Sequence, residues 1–257
     1  MTDMEKVIEA VRTECANTTV HAIYLSGSQL NGLAVSDTDY DVVVILAPTE
    51  KSILTGQHYA SQVDLEQDGV AIDAKVYDTL KLVDMYIKTN PNIVELFYRE
   101  PVYTSPEFAP VADWFASEEM KRYGLRIGSE RFVKSVGGQI TQMRKTLANK
   151  DIKHQAKAVV QSSKFTRYLR EYLHGGILTS VMTPTPLELK TRRRGEELRD
   201  FDPNTDAVKA FGLELQVQLD QVDAIVSDYM TRFDAGEFGD RVQTPVDYKK
   251  FMHLLTL

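Results

Sequence analysis

The chain of 257 residues holds one cysteine, Cys15, and one tryptophan, Trp114. A single cysteine excludes an intramolecular disulfide framework and a cysteine-based zinc site, and it fits a reducing compartment. No apolar run approaches the roughly 18–20 residues that a membrane span needs. The opening residues Met1-Thr2-Asp3-Met4-Glu5-Lys6 lack the apolar core of a secretory signal, so a cytoplasmic location is expected. There is no phosphate-binding P-loop, no GxGxxG and no Ser-His-Asp order, which sets those enzyme classes aside. His21, His58, His154, His174 and His253 fall at no metal-ligating spacing. No internal repeat or low-complexity tract is present.

Positive charge is also short overall. Thirty Lys and Arg stand against 37 Asp and Glu, giving a net charge of −7 and a pI near 5.3. That balance argues against a simple basic coat for nucleic acid. The shortage is uneven, because residues 120–199 carry 18 basic and 6 acidic residues. Such a segment is either a set of solvated helix faces or a basic face for a phosphate-bearing partner.

Hydrophobic patterning divides the chain. A helix is expected over 3–16, and a short apolar strand over His21–Ser26 is stopped by Gly27-Ser28. A turn or short helix follows at 29–34. The β-branched run Asp39–Leu46 is the clearest strand, and Gly69–Tyr77 alternates as a third. Residues 47–68 are mixed. Helix is read over 79–99, interrupted at Asn90-Pro91-Asn92, and then over 107–118, 129–148, 151–173, 204–232 and 245–255. Loops are read at Gly175-Gly176, at Pro184/Pro186 and around Asp202-Pro203. The expectation is an α+β fold: a small mixed β-sheet core with helices over residues 1–118, then an all-helical domain over 119–257.

The chemistry sits in 24–46, YLSGSQLNGLAVSDTDYDVVVIL. Asp39 and Asp41 lie two apart at the head of a strand, so both project to one face. Two carboxylates side by side repel unless a cation lies between them. Hard oxygen donors of this kind suit Mg²⁺ or Mn²⁺, which are held by carboxylates together with substrate phosphates. Gly27 at a strand end lets backbone approach a ligand, and Ser28 adds a hydroxyl donor for a phosphate. Asp73, in the middle of a strand, completes a carboxylate triad if that strand pairs beside Asp39–Leu46. It then serves as general base or further metal ligand. Lys75 shares its face and is placed to reach a phosphate. In the basic segment, Lys164, Arg167, Arg193 and Arg194 are candidate contacts for an acceptor or its phosphates, with solvated surface or packing as the plain alternative. Tyr168, Trp114 and Cys15 are read as packing residues.

The order Gly27-Ser28, Gly32-Leu33-Ala34, Asp39-Tyr40-Asp41, then Asp73, resembles the DNA polymerase beta nucleotidyltransferase superfamily. Within it the chain is most similar to the RNA-ligase-associated ribonucleotidyltransferase branch. The segment Asn90-Pro91-Asn92-Ile93-Val94-Glu95-Leu96 and the stretch Leu187–Glu196, LELKTRRRGE, add to the likeness. It is sharpest over 24–98 and traceable to 197. An ungapped reading of the motif puts its metal-binding pair on Asp39 and Asp41. Thr38 stands where the family often has Ser, and this keeps an Asp37/Asp39 register open.

The resemblance implies a nucleotidyltransferase with two Mg²⁺ or Mn²⁺ ions on Asp39, Asp41 and Asp73. Its donor would be an NTP, ATP among the candidates, with phosphates on Gly27 and Ser28. The basic segment and the resemblance together point first to an RNA or tRNA end as acceptor. A small molecule such as an aminoglycoside comes next, and a protein hydroxyl third. A non-catalytic nucleotide-binding regulator on the same fold is the reading from another class.

Overall fold

The computed structural model describes residues 2–30, 32–33, 39–88, 90–117, 129–147, 150–174 and 183–237. The expected domain boundary at 118/119, the helix at 245–255, Gly175-Gly176 and Asp37 lie outside these residues. The chain forms two compact units.

The first unit holds the sheet. In chain order it has α1 (Asp3–Glu14), β1 (Val20–Leu25), α2 (Gly27–Leu30), β2 (Tyr40–Leu46), α3 (Glu50–Thr55), β3 (Ala60–Gln67) and β4 (Val70–Asp78). Then come α4 (Thr79–Ile87), α5 (Pro91–Val94) with a 3₁₀ turn at Glu95–Tyr98, β5 (Tyr103–Thr104) and α6 (Ala109–Ala116). The strand order is β3-β4-β2-β1-β5, with β2 and β4 parallel and the other pairs antiparallel.

Strand alternation decides what each face carries. Ile23, Val42, Val44, Ile72, Ala74 and Val76 pack with Val7 and Val11 of α1. Tyr24, Val43 and Ile45 pack with Leu82 and Tyr86 of α4, Ile93 and Leu96, and Val111 and Phe115 of α6. Strand β2 is thus apolar on both faces, as its continuous β-branched run predicts. Trp114 and Cys15 pack against these cores as expected. Asp78 is 1% exposed and caps α4: its carboxylate accepts from Lys81 N–H at 2.7 Å and from Tyr59 N–H at 2.9 Å. Its burial is explained by capping.

The mixed segment 47–68 resolves into α3 and β3. Strand β3 is joined to β4 through Asp68 and Gly69, at φ +48° and +77°. Both are left-handed, the backbone that a two-residue hairpin turn needs. The turn beyond β1 is already helical from Gly27, two residues before its expected start.

His21 of β1 stacks on Phe108 with centroids 5.2 Å apart, and Ser105 Oγ lies 3.5 Å from its Nδ1. Burial depresses the imidazole pKa below its ordinary 6.5, and Glu107 opposes the shift. The unfolded chain therefore binds the proton more tightly, so stability is complete above the unfolded value and falls as pH drops through 6.5 toward the lower folded pKa. Denaturant titrations across this range are expected to show that slope in the native chain and its loss in His21→Gln.

The second unit is helical: α7 (Ser129–Leu147), α8 (Ile152–Leu173), α9 (Pro186–Glu197) and α10 (Asp206–Asp234). Helix α8 packs against all three others. Its Phe165, Tyr168, Leu169 and Leu173 are fully buried, so Tyr168 is core, as the packing reading holds. Gly137 marks a close approach, since a Cβ there would meet Met230 Sδ at 3.4 Å.

The loop expected at Pro184/Pro186 holds through Thr185, and α9 starts at Pro186. Thr185 and Glu188 form a reciprocal capping box, and Pro186 fills the first turn where no N–H is needed. No described helix is long and apolar enough to cross a membrane.

Candidate active site

Strand β1 ends against β2. Leu25 pairs with Val42, and Ser26 N–H donates to Asp41 C=O at 2.8 Å. The chain then turns at Gly27, at φ +60°, into the single helical turn α2. A Cβ on Gly27 would stand 2.6 Å from Asp41 Cγ, so the backbone here lies directly on the Asp41 carboxylate. Only glycine meets both demands, the left-handed backbone and the close approach. Ser28 is 8% exposed, and its carbonyl accepts from Leu33 N–H at 2.9 Å. That bond closes the turn, with Gly32 at φ +65° and Leu33 buried.

Gly27→Ala is expected to cost about 1–2 kcal/mol of stability from backbone handedness. It is also expected to displace the carboxylate and to lower roughly tenfold any transfer reaction that the carboxylate serves. Chemical denaturation and a transfer assay on the same preparation read the two effects.

Parallel pairing places Asp41 of β2 in register with Asp73 of β4. Asp73 lies on the face opposite Ile72, Ala74 and Val76, hence away from α1. Lys75 is two residues on and exposed on that same face. Asp39 is exposed and directly precedes β2, with parity that puts it on the Asp41 face. The conditional expectation for Asp73, that its strand pairs beside Asp39–Leu46, is met.

Two further residues join this face from β3. Asp64 is paired in register with Asp73, and Gln62 Nε2 donates to Asp73 Oδ1 at 3.0 Å. Sequence reasoning ranks Asp64 below Asp73 and passes over Gln62, because β3 itself is not recognised. The Asp68-Gly69 turn before a strand was the signal that would have placed them.

Burial raises the Asp73 pKa above the ordinary carboxylate value; Lys75 counters this, Asp41 and Asp64 raise it, and the Gln62 bond lowers it. The site is thus a half-buried carboxylate between two like charges, which calls for a cation. Among the described residues, no three His, Cys, Asp or Glu side chains converge as a metal-holding group. The donor set still fits a hard cation that takes one or two carboxylates and fills its other positions with water and phosphate.

In the helical unit the candidate contacts divide. Lys164 is 2% exposed, its ammonium 5.1 Å from the Phe165 ring centroid and 5.6 Å from that of Tyr168. Arg167 is bidentate to Glu188, with Nε–Oε1 at 3.1 Å and Nη2–Oε2 at 2.8 Å. It ties α8 to the capping box of α9. Arg193 and Arg194 are exposed on α9, and Arg194 pairs with Glu197 at 3.0 Å. Arg192, between α9 and its neighbours, is buried and pairs with Glu196 at 3.0 Å.

The profile of the RNA repair pathway DNA polymerase beta family matches residues 2–200. The chain belongs to that family. The match spans the sheet, the Gly27-Ser28 turn, Asp39, Asp41 and Asp73, and all of α9. A polymerase-beta-family member of this kind is a nucleotidyltransferase, and its α+β core with a helical region is the layout expected from sequence. Among solved structures, a nucleotidyltransferase-like protein from Exiguobacterium sibiricum 255-15 is similar at 10% identity and a TM-score of 0.37, over 92% of this chain and 78% of that one. No curated protein matches.

Proposed function

We propose that this member of the RNA repair pathway DNA polymerase beta family moves a nucleoside monophosphate from an NTP to an acceptor hydroxyl, releasing pyrophosphate. The observation that carries the reading is the register of Asp41 beside Asp73, under a glycine turn that lies on Asp41.

Asp39, Asp41 and Asp73 would hold Mg²⁺ or Mn²⁺. The bound ions would neutralise charge on the donor phosphates. The Gly27-Ser28 turn takes the phosphates by backbone approach and the Ser28 hydroxyl, and Lys75 adds a positive charge on the same face. Asp73 accepts the proton of the acceptor hydroxyl as general base. The hydroxyl oxygen forms a bond to the α-phosphorus while the bond from that phosphorus to the bridging oxygen breaks. Pyrophosphate takes the electron pair.

The favoured acceptor is an RNA or tRNA end. The family description and the exposed Arg193 and Arg194 of α9 support it.

The test is label transfer from each α-³²P-NTP, with Mg²⁺ or Mn²⁺, into RNA, protein and small acceptors such as aminoglycosides. Metal-dependent label in RNA is the expected result. Label only in a small molecule or in protein replaces the acceptor and keeps the chemistry. No transfer, together with no metal-dependent NTP binding, overturns the nucleotidyl-transfer reading, and NTP binding without transfer makes the chain the non-catalytic regulator instead.

A further inference from the structure

Resting on the nucleotidyl-transfer reading, we infer that Gln62 is a positioning residue of the site: its side-chain amide fixes the Asp73 carboxylate without neutralising it. Three observations carry this. Gln62 is on β3, two residues before Asp64, and so on the face that holds Asp73 and Lys75. Its register partner is Lys75, which makes Asp73 its diagonal neighbour, within reach of a long side chain. Its Nε2 lies 3.0 Å from Asp73 Oδ1, and among the described residues no other group donates a hydrogen bond to that carboxylate. The orientation of the amide follows from the chemistry. An ionised carboxylate only accepts, so the NH₂ end and not the carbonyl must face it.

The bond is exposed, so it contributes little to stability. Its effect falls on the rotamer of Asp73. One oxygen is held from the β3 side, and the other is left to a cation or an acceptor proton. A neutral donor is what this position requires. A lysine or arginine would pin the carboxylate equally well but would compete with a divalent ion for its charge. Partners that orient a ligating carboxylate typically change metal affinity or activity by about 10–100-fold when removed.

The experiment compares the full-length chain with Gln62→Met, a side chain of similar length that keeps the strand position and loses the donor. Mn²⁺ binding is followed by the electron paramagnetic resonance of free Mn²⁺, without nucleotide. Transfer is followed at saturating Mg²⁺. The expected result is Mn²⁺ affinity lowered roughly tenfold, kcat lowered roughly tenfold and the KM for NTP within about twofold, with the melting temperature unchanged. Wild-type Mn²⁺ affinity and kcat in Gln62→Met overturn the inference. So does a loss of activity matched by a fall in melting temperature of several degrees, which marks a role in the fold. Failure of the nucleotidyl-transfer reading has a different signature: the unsubstituted chain itself then neither binds Mn²⁺ nor transfers label.

Discussion

Asp41→Asn is expected to abolish nucleotidyl transfer, by about 10³-fold or more, while leaving the chain folded. A thousandfold is about 4 kcal/mol of barrier, within what loss of a metal-anchoring carboxylate removes. The change is nearly isosteric, so Gly27 still fits against the side chain. It removes a negative charge in register with Asp73, whose pKa Asp41 helps to raise. The melting temperature is therefore expected to stay the same or rise. That combination separates a chemical role from a structural one, and circular dichroism with a label-transfer assay reads both. Asp64→Asn is the companion measurement. It is acidic and on the same face, but lies on β3, two strands from Asp41, and should change transfer by no more than about threefold. Transfer that survives Asp41→Asn would move the metal pair to Asp37 and Asp39.

The second large effect is in the helical unit. A Cβ at Gly195 would stand 2.5 Å from Ala156 Cβ and 3.6 Å from Lys153 Cα. Both neighbouring atoms belong to α8 close to its backbone, so no flexible side-chain end can swing aside. Gly195→Val is expected to cost about 3 kcal/mol or more, as overpacking at a closed helix contact does. The ordinary gain from replacing a mid-helix glycine, about 1 kcal/mol for alanine, is too small to offset it. Gly212 of α10 supplies the opposite sign, because a Cβ there meets nothing within 4 Å. Gly212→Ala is expected to stabilise the chain by roughly 0.5–1 kcal/mol. Urea unfolding of the two variants beside the native chain checks both numbers.

The contrast explains one motif. The stretch LELKTRRRGE adds to the family likeness, and its Arg193 and Arg194 are expected from sequence to contact an acceptor or its phosphates, or to be solvated surface or packing. Its glycine is a packing residue between α8 and α9. Its Glu196 lies 3.0 Å from Arg192 and 3.3 Å from Lys153, within a mostly buried charge cluster. Two of the basic residues, Arg193 and Arg194, face solvent.

Much of the site could be read from the chain because its residues announce themselves locally. A glycine that stops a strand and two aspartates leading a β-branched run are each common alone, but in this order on strand ends, with an aspartate inside a later alternating strand, they become specific. The strand pairing that joins Asp41 to Asp73 was a condition of that reading and is met in the structure. What escaped had conflicting local signals. Strand β3 has only Val63 and Leu65 as apolar residues on its more buried side, beside Ser61 and Gln67, with Gln62, Asp64 and Glu66 opposite, too polar to stand out as a strand. Helix α9 has low intrinsic apolarity and two nearby prolines, so it passed for a loop. Its Thr185-x-x-Glu188 box and Pro186 were the start signal, and the direction of Pro's effect depends on that position. The partner of Arg167, Glu188, comes from another helix, and Lys164 is buried beside Phe165 and Tyr168 of its own, so sequence alone did not show that one is paired and the other buried.

The parallel register of Asp41 and Asp73 also bears on how the chain reaches its active form. The β3–β4 hairpin closes through the two-residue Asp68-Gly69 turn and can pair early, since its contacts are local. The β2–β4 pairing joins residues 32 positions apart and must wait for a larger loop to close. Asp73 is thus presented on a preformed ribbon and meets Asp41 only when that ribbon docks. This last step brings two like charges together. On the nucleotidyl-transfer reading, a nascent chain is therefore inert until the β2–β4 pairing is complete, and a divalent cation present at that moment favours the docked arrangement over the open one.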